Sequence, residues 1–403
     1  ADRSGCARAG GWPAGAMAGQ QLPILFNERT NLAAMGVQAA SIRFNELTME
    51  SDRFICVRES KEGKSVLTTV DMSMGNQMQQ RPIGAEAAIM NPSSPVIALR
   101  GGQTLQMFNT EAKAKLKSFK LSDSTKILCW HWINDRTVGY VTKTSVYHWS
   151  MDGTEDPKKM FDVHSSFPEN GQILNYCASD DGKWLLLVGI SRGASGVVGN
   201  MQLYSVDKKV SQPLQGFSGC FTTIKRSDGI ARNMFSFIEK KENSPFKLYI
   251  MEVGKDKNAE GGVFKLPPRD IPFPADAQDD FPVSLLAARS YDILHLITKK
   301  GYLYLFDIHS GQMIFCNRIT TDTVFVSAPT SDGTGVVGVT AGKGQVLQIA
   351  INPNSLVPYL VSQGNQSQLA MQLAARLNLP GAGQMYEAEF NRLFQAGDYK
   401  AAA

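Results

Sequence analysis

Between about Ile42 and Ile351 apolar and polar residues alternate in short runs broken by Gly, Asp, Asn and Pro. That period-two pattern predicts many short antiparallel strands. One unit recurs, an alternating apolar or aromatic strand that ends in a small polar residue: LQMFN at Leu105–Asn109, VYHWS at Val146–Ser150, MQLYS at Met201–Ser205 and YLFD at Tyr304–Asp307. Weaker copies close at Val70, Met251 and Ala350. Taking Val70, Phe108, Trp149, Tyr204, Met251, Phe306 and Ala350 as anchors gives steps of 38, 41, 55, 47, 55 and 44 residues. They average about 47, the length of a four-stranded propeller blade. Seven anchors predict an all-β fold, a seven-bladed β-propeller, in which each sheet buries both faces against its neighbours. Asp181-Gly182, Asp228-Gly229 and Asp332-Gly333 stand between apolar runs, where hairpin tips favour Gly at positive φ. The Gly-rich Gly193 to Gly199 segment joins two strand patterns and reads as a hairpin loop rather than a phosphate cradle. Pro267, Pro268, Pro272 and Pro274 stiffen a long connection, and Asp276 to Asp280 (DAQDD) reads as a solvated turn without the spacing of a calcium loop.

After Asn352-Pro353 the period changes. Leu369, Leu373, Ala374 and Leu377 mark one helical face, ended by Pro380-Gly381, and Tyr386, Phe390, Leu393 and Phe394 mark a second. The propeller is therefore expected to be followed by the first helices of an α-solenoid, cut short. The resulting domain plan is a propeller over 17–351 and a helical zigzag linker over 352–403. Residues 1–16 lack periodicity and stand upstream of Met17, the expected natural start. They read as a disordered leader or vector-derived remnant.

Composition narrows the classes. With 403 residues, 43% hydrophobic and 19% charged, the chain is globular rather than disordered or fibrous. Its longest apolar runs, such as Trp184–Ile190, fall far short of a bilayer span. A formal net charge of +4 gives no reason to expect nucleic acid as a partner. The cysteines at 6, 56, 129, 177, 220 and 316 form no CxxC pair and read as small core residues of a cytosolic protein.

Catalytic chemistry is not visible. The five histidines show no HxH or HxxxH spacing, and His131, His148 and His295 fall within strand-like alternation, where packing is their expected role. GxSxG, GxxxxGK[ST] and GxGxxG are missing, so no enzyme activity, metal or cofactor is expected. A hydrolase with carboxylates around the central opening is the rival from another class; a WD40-type scaffold is disfavoured because repeated GH and WD pairs are missing. Lys113, Lys115 and Lys117, followed by Lys120, would share one face of a strand. They read either as a guarded blade edge or as a groove for acidic peptides.

Several blocks resemble the amino-terminal domain of clathrin heavy chains: MAGQQLPILFNE at Met17–Glu28, LTMESDRFICVR at Leu47–Arg58, AIMNPSSPVIAL at Ala88–Leu99, VYHWSM at Val146–Met151, Lys159–Ser166, GNMQLYSVDKKVSQP at Gly199–Pro213 and DDFPV at Asp279–Val283. The resemblance runs from Met17 to the last residue. It implies a seven-bladed propeller leading into helical zigzags, a structural coat protein of coated vesicles and pits in endocytosis and intracellular protein transport, and capture of short linear motifs from adaptor and accessory proteins. It further implies a peripheral, cytosolic place on coated membranes of the trans-Golgi network and plasma membrane, reached indirectly since no lipidated or amphipathic segment is visible. Clathrin light chain and trimerisation partners would engage regions outside this fragment.

The same resemblance implies four peptide sites. The clathrin-box groove between the first two blades matches at Arg81, Ile83, Ile97, Thr104, Gln106, Phe108, Lys113 and Lys115. Alternation puts Gln106 and Phe108 opposite Leu105 and Met107, with Thr104 expected on the other face or beside a bulge. A site for tryptophan-bearing peptides matches at Phe44, Gln172, Leu174 and Ile190. An arrestin-type groove between blades four and five matches at Trp184, Leu203, Lys208 and Gln212, and a fourth site at Phe26 and Glu28. Gln79 stands where the family usually has an apolar residue, and Lys208 where it usually has Arg, which keeps the charge but loses the planar fork.

Overall fold

The computed structural model describes residues 21–193, 196–226, 228–242, 244–255, 262–381, 383–395, 397 and 399. The expected leader over 1–16 and the Met17 start lie outside the described residues. The first strand, β1 (Ile24–Asn31), belongs to the last sheet. Blade 1 is β2 (Leu47–Thr48), β3 (Phe54–Lys61), β4 (Lys64–Asp71) and β5 (Gln77–Pro82). Blade 2 is β6 (Ala87–Met90), β7 (Val96–Gly101), β8 (Thr104–Asn109) and β9 (Ala114–Lys120). Blade 3 is β10 (Ile127–Asn134), β11 (Thr137–Thr142), β12 (Ser145–Ser150) and β13 (Lys158–Asp162). Blade 4 is β14 (Gln172–Ala178), β15 (Trp184–Gly193), β16 (Gly196–Ser205) and β17 (Val210–Gln215). Blade 5 is β18 (Ser218–Lys225), β19 (Ala231–Glu239), β20 (Lys247–Glu252) and the two-residue β21 (Arg269–Asp270), which is what the proline-stiffened connection supplies. Blade 6 is β22 (Pro282–Ala288), β23 (Ile293–Thr298), β24 (Tyr302–Asp307) and β25 (Met313–Arg318). Blade 7 is β26 (Val324–Pro329), β27 (Gly335–Thr340) and β28 (Gln345–Ile351), with β1 as its outermost strand.

The seven sequence anchors, Val70, Phe108, Trp149, Tyr204, Met251, Phe306 and Ala350, fall on β4, β8, β12, β16, β20, β24 and β28, the third strand of every blade. Their spacing therefore measured whole blades. Gly182, Gly229 and Gly333 take φ of 68°, 71° and 70°, each between the first and second strands of its blade. The Gly193–Gly199 segment is a hairpin in which Gly193 pairs with Gly196 and Ile190 with Gly199. First strands of adjacent blades lie against one another, β10 on β14 and β18 on β22, so they line the hub.

Seven apolar clusters hold the ring, one between each pair of neighbouring blades. The continuous run Trp184–Val188 is explained by this: Leu185 and Leu187 face blade 3, whereas Leu186 and Val188 face blade 5. A strand buried on both faces has no polar alternate. Closure rests on β1, which pairs antiparallel with β28 from Ile24↔Ile351 to Asn31↔Gln345. Asp52 of blade 1 reinforces it by accepting from the Ser331 backbone N–H of blade 7 at 3.0 Å. β1 begins well before the predicted all-β region because an outermost strand keeps only one face covered and shows little alternation.

The helical segment differs from expectation. Among the described residues it holds three helices, α1 (Pro353–Ser362), α2 (Ser367–Leu377) and α3 (Gly383–Gln395), not two. Pro358 lies inside α1 and hides it from a periodicity reading, but Pro353 occupies its first turn and the Asn352 side chain caps the Asn354 N–H. Leu356, Val357 and Leu360 of α1 and Leu369, Ala370, Leu373 and Ala374 of α2 share one cluster with blades 6 and 7. The expected face of α2 is thus the buried one; on α3, Phe390 stacks on Phe394 at 5.7 Å and both are exposed, and the side chain of Leu393 lies outside those described. No helix among the described residues is long and apolar enough to cross a membrane.

Cys56, Cys129 and Cys220 are buried free thiols and Cys177 is half-buried. Burial pushes Cys56 and Cys177 up to about 12, so they are inert packing residues. Cys316 departs from the expected set of free thiols, being disulfide-bonded. His295 on β23 is fully buried, and burial drives its pKa down to about 4 against a smaller pull from the Ile293 backbone. The unfolded chain takes up that proton below about 6.5, the folded chain only near 4. The stability this ring confers is therefore whole above pH 6.5 and is lost as pH falls towards 4, a difference on the order of 3 kcal/mol. Thermal melts between pH 7 and pH 4.5 should show a steeper fall for the native chain than for His295→Leu; parallel curves would refute this role.

Candidate functional site

The groove between blades 1 and 2 can be built from strand parity. β8 pairs with β7 without interruption, Gly101↔Thr104, Leu99↔Gln106 and Ile97↔Phe108. Thr104, Gln106 and Phe108 therefore share one face, which corrects the expected placement of Thr104: positions two apart share a face in an unbulged strand. Ile97, Leu99 and Phe108 pack in the cluster between blades 1 and 2, so this face looks toward blade 1. From the other side, β5 runs against β4 with Thr69↔Gln79 and Leu67↔Arg81. Leu67 and Ile83 belong to the same cluster, so Gln79, Arg81 and Ile83 look toward blade 2. Ile97 is 3% exposed and forms the floor, Thr104, Gln106 and Phe108 are half-buried, and Arg81, Lys113 and Lys115 are exposed at the rim. Of the eight residues expected at this site, Arg81, Ile83, Ile97, Thr104, Gln106, Phe108 and Lys115 lie on the facing sides of blades 1 and 2, and Lys113 lies in the turn that leads into β9. Leu99 and Gln79 join them, and parity from Ile97 and Arg81 was the signal that would have found both.

The lysine row is not one face. Phe108 opposes Lys115 but Met107 opposes Lys117, so Leu116 is an extra residue, a bulge that reverses the parity of the strand. Lys115 thus shares the groove face with Phe108. Lys117 turns to blade 3, where its Nζ donates to the Ser150 and Glu155 carbonyls at 3.0 Å each and lies 5.6 Å from the Trp149 ring centre. Lys113 sits in a left-handed turn with φ 52°, set by the Asn109 side chain, which accepts from the Glu111 and Ala112 N–H groups.

Between blades 4 and 5 the same logic assembles a second groove. Trp184, Leu203 opposite Leu186, and Gln212 opposite Leu203 share the face toward blade 5. Tyr249 and Met251 from β20 border the same cluster. Lys208 is exposed in the turn after β16, its backbone N–H donating to the Ser205 hydroxyl at 3.4 Å. At the closing blade, Phe26 and Glu28 share the β1 face toward blade 6, with Phe26 packed on the cluster below it. Glu28 accepts from Gln345 at 2.7 Å, and Gln345 borders a cavity of about 220 Å³ lined also by Arg318, Thr321 and Lys343.

The set expected for tryptophan-bearing peptides draws on two blades. Gln172 and Ile190 are direct partners across β14 and β15, and Leu174 is the bulged residue beside them. Ile190 also packs on the cluster between blades 5 and 6. Phe44, 40% exposed, lies in the turn that leads into blade 1.

At the hub, Glu50 reaches the first strand of blade 3. Its carboxylate accepts from the Trp132 N–H at 2.9 Å and meets His131 Nδ1 at 3.0 Å. Burial works against a charged His131, yet Glu50 and Cys129 hold its pKa well above the usual imidazole value. This carboxylate is engaged in joining blades. His148, by contrast, is driven to about 4 by burial, with Lys158 adding to the effect, and its Nε2 meets the Tyr176 hydroxyl at 2.7 Å.

No family model matches the chain. Among curated proteins it is 44% identical over 386 residues to clathrin heavy chain 2 of Homo sapiens and 43% identical over 386 residues to the clathrin heavy chain of Drosophila melanogaster. It is 36% identical over 385 residues to the probable clathrin heavy chain of Schizosaccharomyces pombe. Each alignment covers 95% of this chain and 23% of the relative. The solved β-propeller domain of Cps50 (Swd1) from Myceliophteria thermophila covers 77% of this chain with a TM-score of 0.48 and 8% identity. The chain is thus a homologue of the clathrin heavy chains and spans less than a quarter of their length.

The bulge at Leu116 separates two lysines that plain alternation would make equivalent. Lys117→Met should lower the melting midpoint through the loss of two hydrogen bonds and a ring contact, about 1 to 2 kcal/mol, and leave the groove between blades 1 and 2 untouched. Lys115→Glu should do the reverse, sparing the melt and altering the groove's charge. Equal melting losses in both variants would sink the parity assignment.

Proposed function

We propose that this homologue of clathrin heavy chains is the adaptor-binding part of a vesicle-coat protein, a structural and interaction module whose propeller captures short linear motifs through furrows between its blades. The observation that carries this reading is the groove between blades 1 and 2. Two blades contribute facing walls, apolar at the floor through Ile83, Ile97, Leu99 and Phe108 and cationic at the rim through Arg81, Lys113 and Lys115. An extended peptide alternates its side chains, so leucines can enter the floor while acidic neighbours meet the rim. Gln106, half-buried on the same face, would hydrogen-bond the peptide backbone. The furrow between blades 4 and 5 offers a second such surface around Trp184 and Leu203. The sites at Phe26 and Glu28, and at Phe44, Gln172, Leu174 and Ile190, complete the set that this reading assigns to adaptors. The helices from Pro353 onward would lead into the coat's leg, and attachment to coated membrane on its cytosolic side would run through the captured adaptors.

A four- to six-residue motif filling two apolar pockets supplies roughly 5 to 7 kcal/mol, a micromolar to submillimolar dissociation constant. Many propellers in one lattice convert such contacts into avidity by raising effective concentration, while each contact stays rapidly reversible. Titration of the whole chain with labelled Leu-x-x-acidic peptides tests the assignment. Binding should weaken about tenfold in Gln106→Ala and more in Lys113→Glu or Lys115→Glu, with unchanged melting. Affinity identical to the native chain in all three would remove the groove from consideration, and turnover of a glycoside or ester would replace the reading with the hydrolase one.

A further inference from the structure

Both blades supply the apolar floor of the blade 1–2 groove, Leu67 and Ile83 from blade 1 and Ile97, Leu99 and Phe108 from blade 2, but the edge strand of blade 1 adds Gln79 and Arg81 in exposed positions. The third strands of the two blades are equivalent and end at Asp71 and Asn109. Gln79 pairs with Thr69, two residues before that end, and so stands level with Met107 and Phe108, where Lys115 also enters the groove. Arg81 Nη2 donates to Gln79 Oε1 at 3.0 Å. That bond engages the Gln79 side-chain oxygen and leaves its Nε2 group as a donor. Donors dominate around this level: the Gln79 amide, the Arg81 guanidinium and the ammonium groups of Lys113 and Lys115, with Phe108 on the opposite wall.

A leucine seated there would cover donors without satisfying them, which costs affinity, whereas an ionised carboxylate is acceptor-only and takes charge-assisted bonds from several of them at once. We propose that the peptide residue level with Gln79 carries a carboxylate, and that Gln79, oriented by Arg81, sets this preference. The inference rests on the groove reading given under Proposed function and narrows its ligand class: the motif has its apolar residues toward blade 2 and an aspartate or glutamate toward blade 1. A wall that holds Gln79 in place of an aliphatic side chain discriminates by polarity rather than by shape.

The test uses the whole chain and labelled eight-residue peptides that share two leucines, with Glu, Gln or Leu placed at one position at a time, read by fluorescence anisotropy. One position should exist at which Glu binds about tenfold more tightly than Leu, the advantage shrinking as salt rises from about 50 to about 500 mM. Gln79→Leu should bring that ratio to about one or invert it, and Gln79→Glu should invert it, since the new carboxylate takes up Arg81 and repels the peptide's own. Both substitutions are at an exposed edge, and their melting curves should overlay that of the native chain. If peptides bind but the Glu-to-Leu ratio is the same in the native chain and both variants, this inference fails while the groove stands. If no peptide binds the native chain, the groove reading fails and takes the inference with it.

Discussion

Every blade of this protein depends on having a neighbour on each side. A strand such as β15, apolar on both faces, is stable only when sheets flank it on the left and on the right, and a row of seven sheets provides that for all of them only by closing. Closure draws on the ladder between β1 and β28, the Asp52 bonds to Ser331, and the cluster that joins Val337, Val339 and Val346 of blade 7 to Ile55, Val57 and Val70 of blade 1. The chain's beginning and its last strand must meet before the final sheet is complete. Contacts of such sequence separation demand much loop-closure entropy, and the apolar clusters offset it collectively rather than one at a time.

The furrows between blades follow from the same geometry. Blades that radiate from a hub lie close together at their first strands and diverge toward their fourth, so packing that is complete near β10 and β14 thins out at β5, β13 and β17. Each interface cluster therefore has a half-exposed outer end. Phe108, Leu99 and Ile83 end the cluster between blades 1 and 2; Trp184, Tyr249 and Met251 end the one between blades 4 and 5; Phe26 borders the one between blades 6 and 7. Core packing and ligand contact are not alternatives for these side chains, since one residue serves the ring on its inner side and the furrow on its outer side. A scaffold held this rigidly presents its furrows already formed, so a short peptide loses its own freedom but need not order the protein as well.

Much of this was legible in the chain because blade strands are regular. Alternation located the third strand of every blade, and parity put Gln106 with Phe108, since both depend only on the two-residue period of an extended backbone. What stayed hidden were departures from that period. The bulge at Leu116 reverses which lysines face the groove, and a bulge is a property of how two strands pair, not of either strand's composition. β1 carries little alternation because, as the outermost strand of blade 7, it has only the face toward blade 6 covered, and α1 is masked by Pro358, which its buried leucines and valine override. The grooves themselves were reached through family resemblance; the Arg81–Gln79 bond that changes the character of one wall depends on side-chain placement across the edge strand and has no signature in spacing.

A consequence for experiment follows from residues that serve both ring and furrow. Truncating Ile97, 3% exposed at the groove floor, removes cluster packing worth about 2 to 4 kcal/mol along with any ligand contact, so a binding loss in that variant would be confounded with loosened blades. Gln106, Lys115 and Gln79 are different: half-buried or exposed, they lie outside the cluster and contribute to the groove by hydrogen bonding and charge. Polar rim residues therefore report on recognition, whereas apolar floor residues report mainly on the ring. The same division lets the chemistry of the perimeter change without endangering the fold. A substitution like glutamine at position 79 alters one wall at the perimeter, beyond the radius at which the blades hold one another.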